Sequence, residues 1–271
     1  MTGQVQAFDR DEDIVDPQIA IDRRRTLVIY TARIVIALAL ILAWEAVGPS
    51  LDKLVFSSPS DILAKVWDWT KDGTLVYNLW VTAEEILIGY FVGAVAAVVM
   101  GLALGSYPTL AAILDPILMA IYGVPKIAFG PLFIVWFGIN LAPKVVVCGV
   151  TVFFFIFLAT YEGARNADRE LLRTLRLMGA TPMQMRRLVV IPGAMPAILL
   201  GLKLAIPEAL VGAIVGELIV SNKGIGYLIE YSASQLDSAG VFGGLFILMV
   251  LAVLANSAVN YFTGKTGREL E

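Results

Sequence analysis

Three ionisable side chains interrupt one long apolar run: Lys203, Glu208 and Glu217 in MPAILLGLKLAIPEALVGAIVGELIV. A carboxyl group in such surroundings marks either a path for a solute or proton, or a hydrogen-bonded seat between helices. The two glutamates are nine positions apart. That is about 180° around a straight helix, so both face one pore only if Pro207 kinks it. Other chemistries find few ligands. The chain has no His and a single Cys, Cys148, in an apolar stretch. A zinc site, a His-dependent catalytic centre and an intramolecular disulfide therefore lack their residues. Carboxylates do not cluster at catalytic spacing. Gly264-Lys265-Thr266 imitates the end of a P-loop, but Val259 stands where the earlier glycine is required and no strand precedes it.

The elements that must position these residues are spans. Of 271 residues, 58% are hydrophobic and 16% charged, against roughly 45–50% apolar and about 25% charged in soluble domains. A soluble fold of this length could not hide that much apolar surface. Residues 1–26 form an acidic stretch that reads as a disordered cytoplasmic tail rather than a cleavable signal. Apolar runs near the ~20 residues needed to cross hydrocarbon then recur at 27–47, 79–105, 110–138, 144–161, 194–220 and 243–262. Residues 263–271 form a polar C-terminal tail. The predicted fold is an all-α membrane protein with about six transmembrane helices.

The third run and its exit, 121–143, carry Gly123, Pro125, Gly130, Pro131, Gly138 and Pro143. These are too many breakers for one straight helix, and irregular backbone at membrane depth must line protein or a water-filled cavity. Pro125 and Lys126 therefore join Glu208 and Glu217 as candidate residues of a translocation path. Between the first two runs, 57–75 reads as a short external helix, capped by Ser58 or Ser60 and stopped by Gly73.

Arginines set the orientation. Arg23, Arg24 and Arg25 precede the first run, and six spans place 165–187, Lys265 and Arg268 on the same side. The predicted outer loops hold only Lys53, Lys65, Lys71, Lys144 and Lys223. The positive-inside bias thus puts both termini in the cytoplasm. Gly89, Gly93, Ala97, Gly101 and Gly105 recur every fourth residue, as do Gly212 and Gly216. Such stripes allow close helix approach, within the chain or between subunits.

Residues 162–192 form a cytoplasmic loop of unusual design. Asp168 caps a helix over 169–178, with Leu171, Leu175 and Met178 on one face and Arg165, Arg169, Arg173 and Arg176 opposite. Gly179 supplies a left-handed stop. Thr181 caps a second helix with Pro182 in its first position, and Pro192 ends it. Met178, Met183 and Met185 give an adaptable apolar surface. Two readings fit this composition: an anchor on lipid headgroups, or a docking surface for a cytoplasmic partner.

GATPMQMRRLVVIPGAMPAILLGLKLA resembles the cytoplasmic "EAA" loop of ABC importer permeases. Its pattern is Glu-Ala-Ala, three residues, Gly, nine residues, Ile, one residue, Leu-Pro. Here Arg173, Thr174 and Leu175 occupy the triplet, Gly179 the glycine, and Val189, Ile191 and Pro192 the end. Arg173 departs from the usual Glu. VPKIAFGPLFIVWFGI (124–139) and GELIVSNKGIGYLI (216–229) are similar to permeases of the nitrate/sulfonate/taurine group. FFFIF at 153–157 departs where relatives often carry proline. Glu217 matches an acidic position of those permeases, and Glu208 does not match their usual residue.

The resemblance implies a non-catalytic membrane subunit of the bacterial cytoplasmic membrane, working as a homodimer. Its coupling loop, with Met178 and Ala180 flanking Gly179, would dock into a cytoplasmic ABC ATPase dimer. ATP and Mg would bind that ATPase and no cofactor this chain. A periplasmic or lipid-anchored binding protein would deliver a small solute: nitrate, sulfonate, taurine, thiamine pyrimidine or aromatic acid. Membrane lipid is a further partner, and nucleic acid is not. A proton-coupled secondary transporter using Glu208 or Glu217 is the competing class, and would need no basic docking loop. A membrane-embedded enzyme finds little support.

Overall fold

The computed structural model describes residues 17–50, 52 and 54–266. Within these the chain is helical, with no strand among the described residues, and its contacts divide it into one unit ending at Ser60 and another starting at Asp61. Of the tails expected at 1–26 and 263–271, residues 1–16 and 267–271 lie outside the described residues.

In the first unit, α1 (Pro17–Val47) begins before the expected start of the first span, so the tail does not reach residue 26. Its apolar stretch has no buried residue. A helix apolar on all sides is suited to lipid rather than to a protein core. At its end the Trp44 indole N–H donates to the Ser57 carbonyl at 3.0 Å. Glu45 accepts from the Ser60 N–H and hydroxyl at 2.9 and 2.7 Å, closing the turn through Gly48–Ser50.

The second unit contains most of α2 (Pro59–Lys71), then α3 (Thr74–Gly105), α4 (Pro108–Gly123), α5 (Gly130–Phe137) and α6 (Leu141–Arg165). Next come α7 (Arg169–Leu177), α8 (Pro182–Met185), α9 (Ile191–Val220), α10 (Ile225–Ser234) and α11 (Ser238–Thr266). Among the described residues, five helical stretches are long and apolar enough to span, and Thr109–Gly123 is a shorter apolar one. Gly73, at φ +80°, separates α2 from α3 as its breaker role requires. The third run is split into α4, a 3₁₀ turn at Lys126–Phe129 and α5, so it is neither straight nor one helix. The helix α10 has no counterpart in the sequence reading.

α6 lies between α3 and α9, and both glycine stripes face it. A β-carbon on Gly89 would sit 2.6 Å from the Cys148 sulfur, and one on Gly101 2.7 Å from Thr160. On Gly212 it would sit 2.9 Å from the Cys148 backbone. These stripes therefore serve packing within the chain. Cys148, Val152, Ile156, Phe157 and Tyr161 fill the seam with Ala94, Ala97, Ala205, Ala209 and Ala213. Phe153, Phe157 and Tyr161 stack along α6 with centroids 5.3 and 5.8 Å apart. The FFFIF stretch leaves α6 unbroken.

Candidate coupling loop and buried polar node

The loop between α6 and α9 is built by local rules. Asp168 accepts from the N–H groups of Glu170 and Leu171 at 2.8 and 3.1 Å, satisfying donors at the start of α7. The α7 chain stops at Met178, and Gly179 turns it at φ +82°. The Ala180 N–H returns to the Leu175 carbonyl at 3.0 Å. Thr181 and Gln184 form a reciprocal capping box, at 2.7 and 3.3 Å, with Pro182 in the first turn.

Two expectations fail here. Pro192 does not end the second helix: the backbone runs on from α8 through a π-helical turn, Arg186–Val190, into α9. The Ile191 N–H bonds to the Arg186 carbonyl, one residue further back than in an α-helix. Pro192 then falls in a first turn, where a missing N–H costs little. The packed face of α7 also differs. Leu171 and Met178 are exposed, and Leu172 packs on Ala164, Ala167, Val190, Ala194 and Ile198. Leu175 and Ala180 are half-buried, Val189 is buried, and Arg173, Thr174, Ile191 and Pro192 are exposed.

What the loop offers outward is apolar. Leu177 is 90% exposed and Met178 77%, with Met183 and Leu188 also exposed. Arg186 stacks over the Tyr107 ring at 4.4 Å, tying the loop to the α3–α4 junction.

A second site lies at the far ends of α3, α6 and α9. Glu217, 1% exposed, accepts from the Thr82 hydroxyl and from the Gly226 N–H, both at 2.6 Å. The Thr82 oxygen accepts in turn from the Ile225 N–H at 2.9 Å, and Asn78 accepts from the Gly224 N–H at 2.7 Å. Beside it Lys144, 6% exposed, pairs with fully buried Glu85 and donates to Ser221 at 3.0 Å. The node ties the start of α10 to α3 and α9, and Lys144 joins α6 to α3 and to the end of α9. An adjoining cleft of about 360 Å³ is lined by Glu84, Asn140, Lys144 and Asn222.

The candidate path residues are not gathered into one site. Glu217 belongs to the node. Glu208 is half-buried and has no hydrogen-bond or ion-pair partner among the described residues. Pro125 is exposed, and Lys126 opens the 3₁₀ turn between α4 and α5. Lys144, counted among the outer-loop charges, is instead a buried ion-pair partner. Sequence reasoning missed Asn78, Thr82, Glu85 and Lys144 as a group. Glu85 carried the available signal, an acid inside a predicted span.

The family of binding-protein-dependent transport system inner membrane components matches residues 89–268. The chain belongs to this family. Among permeases like it, the formylaminopyrimidine transport permease protein ThiX of Halalkalibacterium halodurans is 31% identical over 82% of this chain and 89% of its own. The putative aliphatic sulfonates transport permease protein SsuC of Bacillus subtilis is 29% identical over 83% of each. The taurine transport system permease protein TauC of Escherichia coli is 28% identical over 68% of this chain and 66% of its own. An inward-facing structure of the MetNI methionine ABC transporter shares the fold, with a TM-score of 0.61 at 21% identity over 71% of this chain and 96% of that one. The chain is thus a multi-pass permease subunit of an ABC importer.

Proposed function

We propose that this permease works as a homodimer in a bacterial cytoplasmic membrane, and that a cytoplasmic ABC ATPase dimer holding ATP and Mg drives it. Both termini and the loop around Gly179 face that ATPase, as the arginine bias indicates. The observation that carries the reading is the exposed apolar knuckle of Leu177, Met178 and Met183 between two capped helices. Capped ends and a single left-handed residue make a stiff element, able to pass motion from a partner into α9.

The solute is a small molecule of the nitrate, sulfonate, taurine, thiamine-pyrimidine or aromatic-acid class, delivered by a periplasmic or lipid-anchored binding protein. The ThiX, SsuC and TauC names support that range. Glu208, half-buried and without a partner among the described residues, is the side chain we assign to the path. Glu217 is held at both oxygens and serves as a seat for α10.

Gly179→Val tests the coupling. A β-carbon there would meet nothing within 4 Å, so the substitution acts only through backbone strain at φ +82°, on the order of 1–2 kcal/mol. Membrane insertion is expected to be normal. Binding-protein-stimulated ATP hydrolysis and solute uptake in reconstituted vesicles are expected to fall together, with weaker retention of the ATPase. Full ATP-driven uptake by the valine variant would refute the role of this loop.

A further inference from the structure

A cleft of about 490 Å³ opens where three spans end. Its walls are Gly105 and Ser106 closing α3, Ala164 and Arg165 closing α6, and Val190 leading into α9. The volume lies within the roughly 300–1,000 Å³ of small-ligand pockets. Four guanidinium groups line it: Arg165, Arg169, Arg173 and Arg176. Arg165 is neutralised by Asp115 at 2.7 Å. Arg169, Arg173 and Arg176 have no acidic partner within ion-pair distance among the described residues. Asp168 is occupied in capping α7, and Glu162 and Glu170 pair with none of the four.

We propose that this cleft seats the phosphate of an anionic phospholipid headgroup. Planar guanidinium forks match phosphate oxygens in pairs, and three uncompensated ones in a single cleft favour a ligand with negative charge. The position fixes its source. The cleft opens at the ends of membrane-spanning helices, the level at which headgroups lie, with Tyr107 exposed beside it as an interfacial ring. A protein partner is better served elsewhere on the loop, because Leu177, Met178 and Met183 point outside this cleft. Arg173, which stands where the resembling loops carry Glu, adds a positive charge to this wall.

The full chain in phosphatidylcholine nanodiscs, doped with spin-labelled phosphatidylglycerol or spin-labelled phosphatidylcholine, measures the preference directly. The parent is expected to retain phosphatidylglycerol preferentially. Arg173→Gln with Arg176→Gln should reduce that preference about 25-fold, taking about fivefold (~1 kcal/mol) per basic residue at a charged surface. Arg187→Gln, outside the cleft, should leave it unchanged, and Arg173→Lys with Arg176→Lys should keep most of it while showing that the site tolerates substitution. Undiminished preference in the double glutamine variant overturns the proposal. So does displacement of the lipid by millimolar inorganic phosphate, which would make the ligand a free anion. A double variant that keeps its lipid but loses the ATPase would assign these arginines to the protein partner instead.

Discussion

Replacing Glu217 with Gln should destabilise the node in a manner its geometry specifies. Both carboxyl oxygens accept a bond, one from Thr82 and one from the Gly226 N–H. An amide offers one oxygen, and its nitrogen cannot accept. If the amide oxygen faces Gly226, the Thr82 hydroxyl loses its acceptor. If it faces Thr82, the Gly226 N–H is orphaned. Either orientation strands one buried donor, at a cost of about 1–3 kcal/mol. Glu217→Leu strands both, at about 2–6 kcal/mol. The apparent melting temperature of the purified chain, followed by fluorescence-detected size exclusion, should fall by a few degrees for Gln and by clearly more for Leu. Hydrogen exchange at Gly226 should rise in the Leu variant, and in the Gln variant where the amide oxygen turns to Thr82. A Gln variant with parental melting temperature and parental protection at Gly226 would refute the account of Glu217 as a seat. It would reopen a transport role for that carboxyl.

Gly93→Ala should lower stability by about 1–3 kcal/mol, because its β-carbon would run into the Gly149 carbonyl, a backbone atom that cannot rotate away. Thermal unfolding in detergent reads this, and an unchanged midpoint would deny the tight α3–α6 seam. Glu208→Gln should alter solute uptake while ATPase retention stays intact, and uptake identical to the parent at all concentrations removes Glu208 from the path. With Cys148 removed, a cysteine at Asn166 should resist an impermeant thiol reagent on intact cells while one at Asp72 labels, and the reverse pattern would invert the topology. Burial of Asp237 works to raise its carboxyl pKa, but Lys65 at 2.6 Å and the Gly240 N–H outweigh it and hold the group below the usual carboxylate range. A depressed acid stabilises above its unfolded pKa of about 3.9 and loses that contribution as pH falls through the folded value. Asp237→Asn should therefore lower the melting temperature at pH 7, and the difference from the parent should shrink in strong acid.

Local rules made the loop legible. Asp168, Gly179, Thr181 and Pro182 each act within a few residues, so their roles follow from spacing alone. Pro192 was misread because a π turn is not written in residue type, and a proline after it resembles a terminator. The exposed and packed faces of α7 were exchanged in part for a different reason. Leu171 and Leu172 are adjacent, and only the neighbours from α6 and α9 decide which turns inward. The glycine stripes announced a close approach but not a partner, since another subunit and α6 require the same small residues. Thr82 and Glu217 are 135 positions apart, and no periodicity joins them. The helix α10 was hidden by its short length and by the SNKG turn before it.

The continuous helical path from Pro182 to Val220 has a consequence for register. At 1.5 Å per residue it runs about 55–60 Å, from the tip of the loop to the Glu217 node. Its π turn contains one residue more than an α-helix would use, so it sets the phase of everything downstream. Winding the same five residues as regular α-helix, with none removed, would rotate the remaining rod by roughly 90–100°. Gly212 would then turn away from Cys148, and Glu217 from Thr82. The loop could still be perfectly capped, yet it would drive a shaft whose teeth no longer mesh.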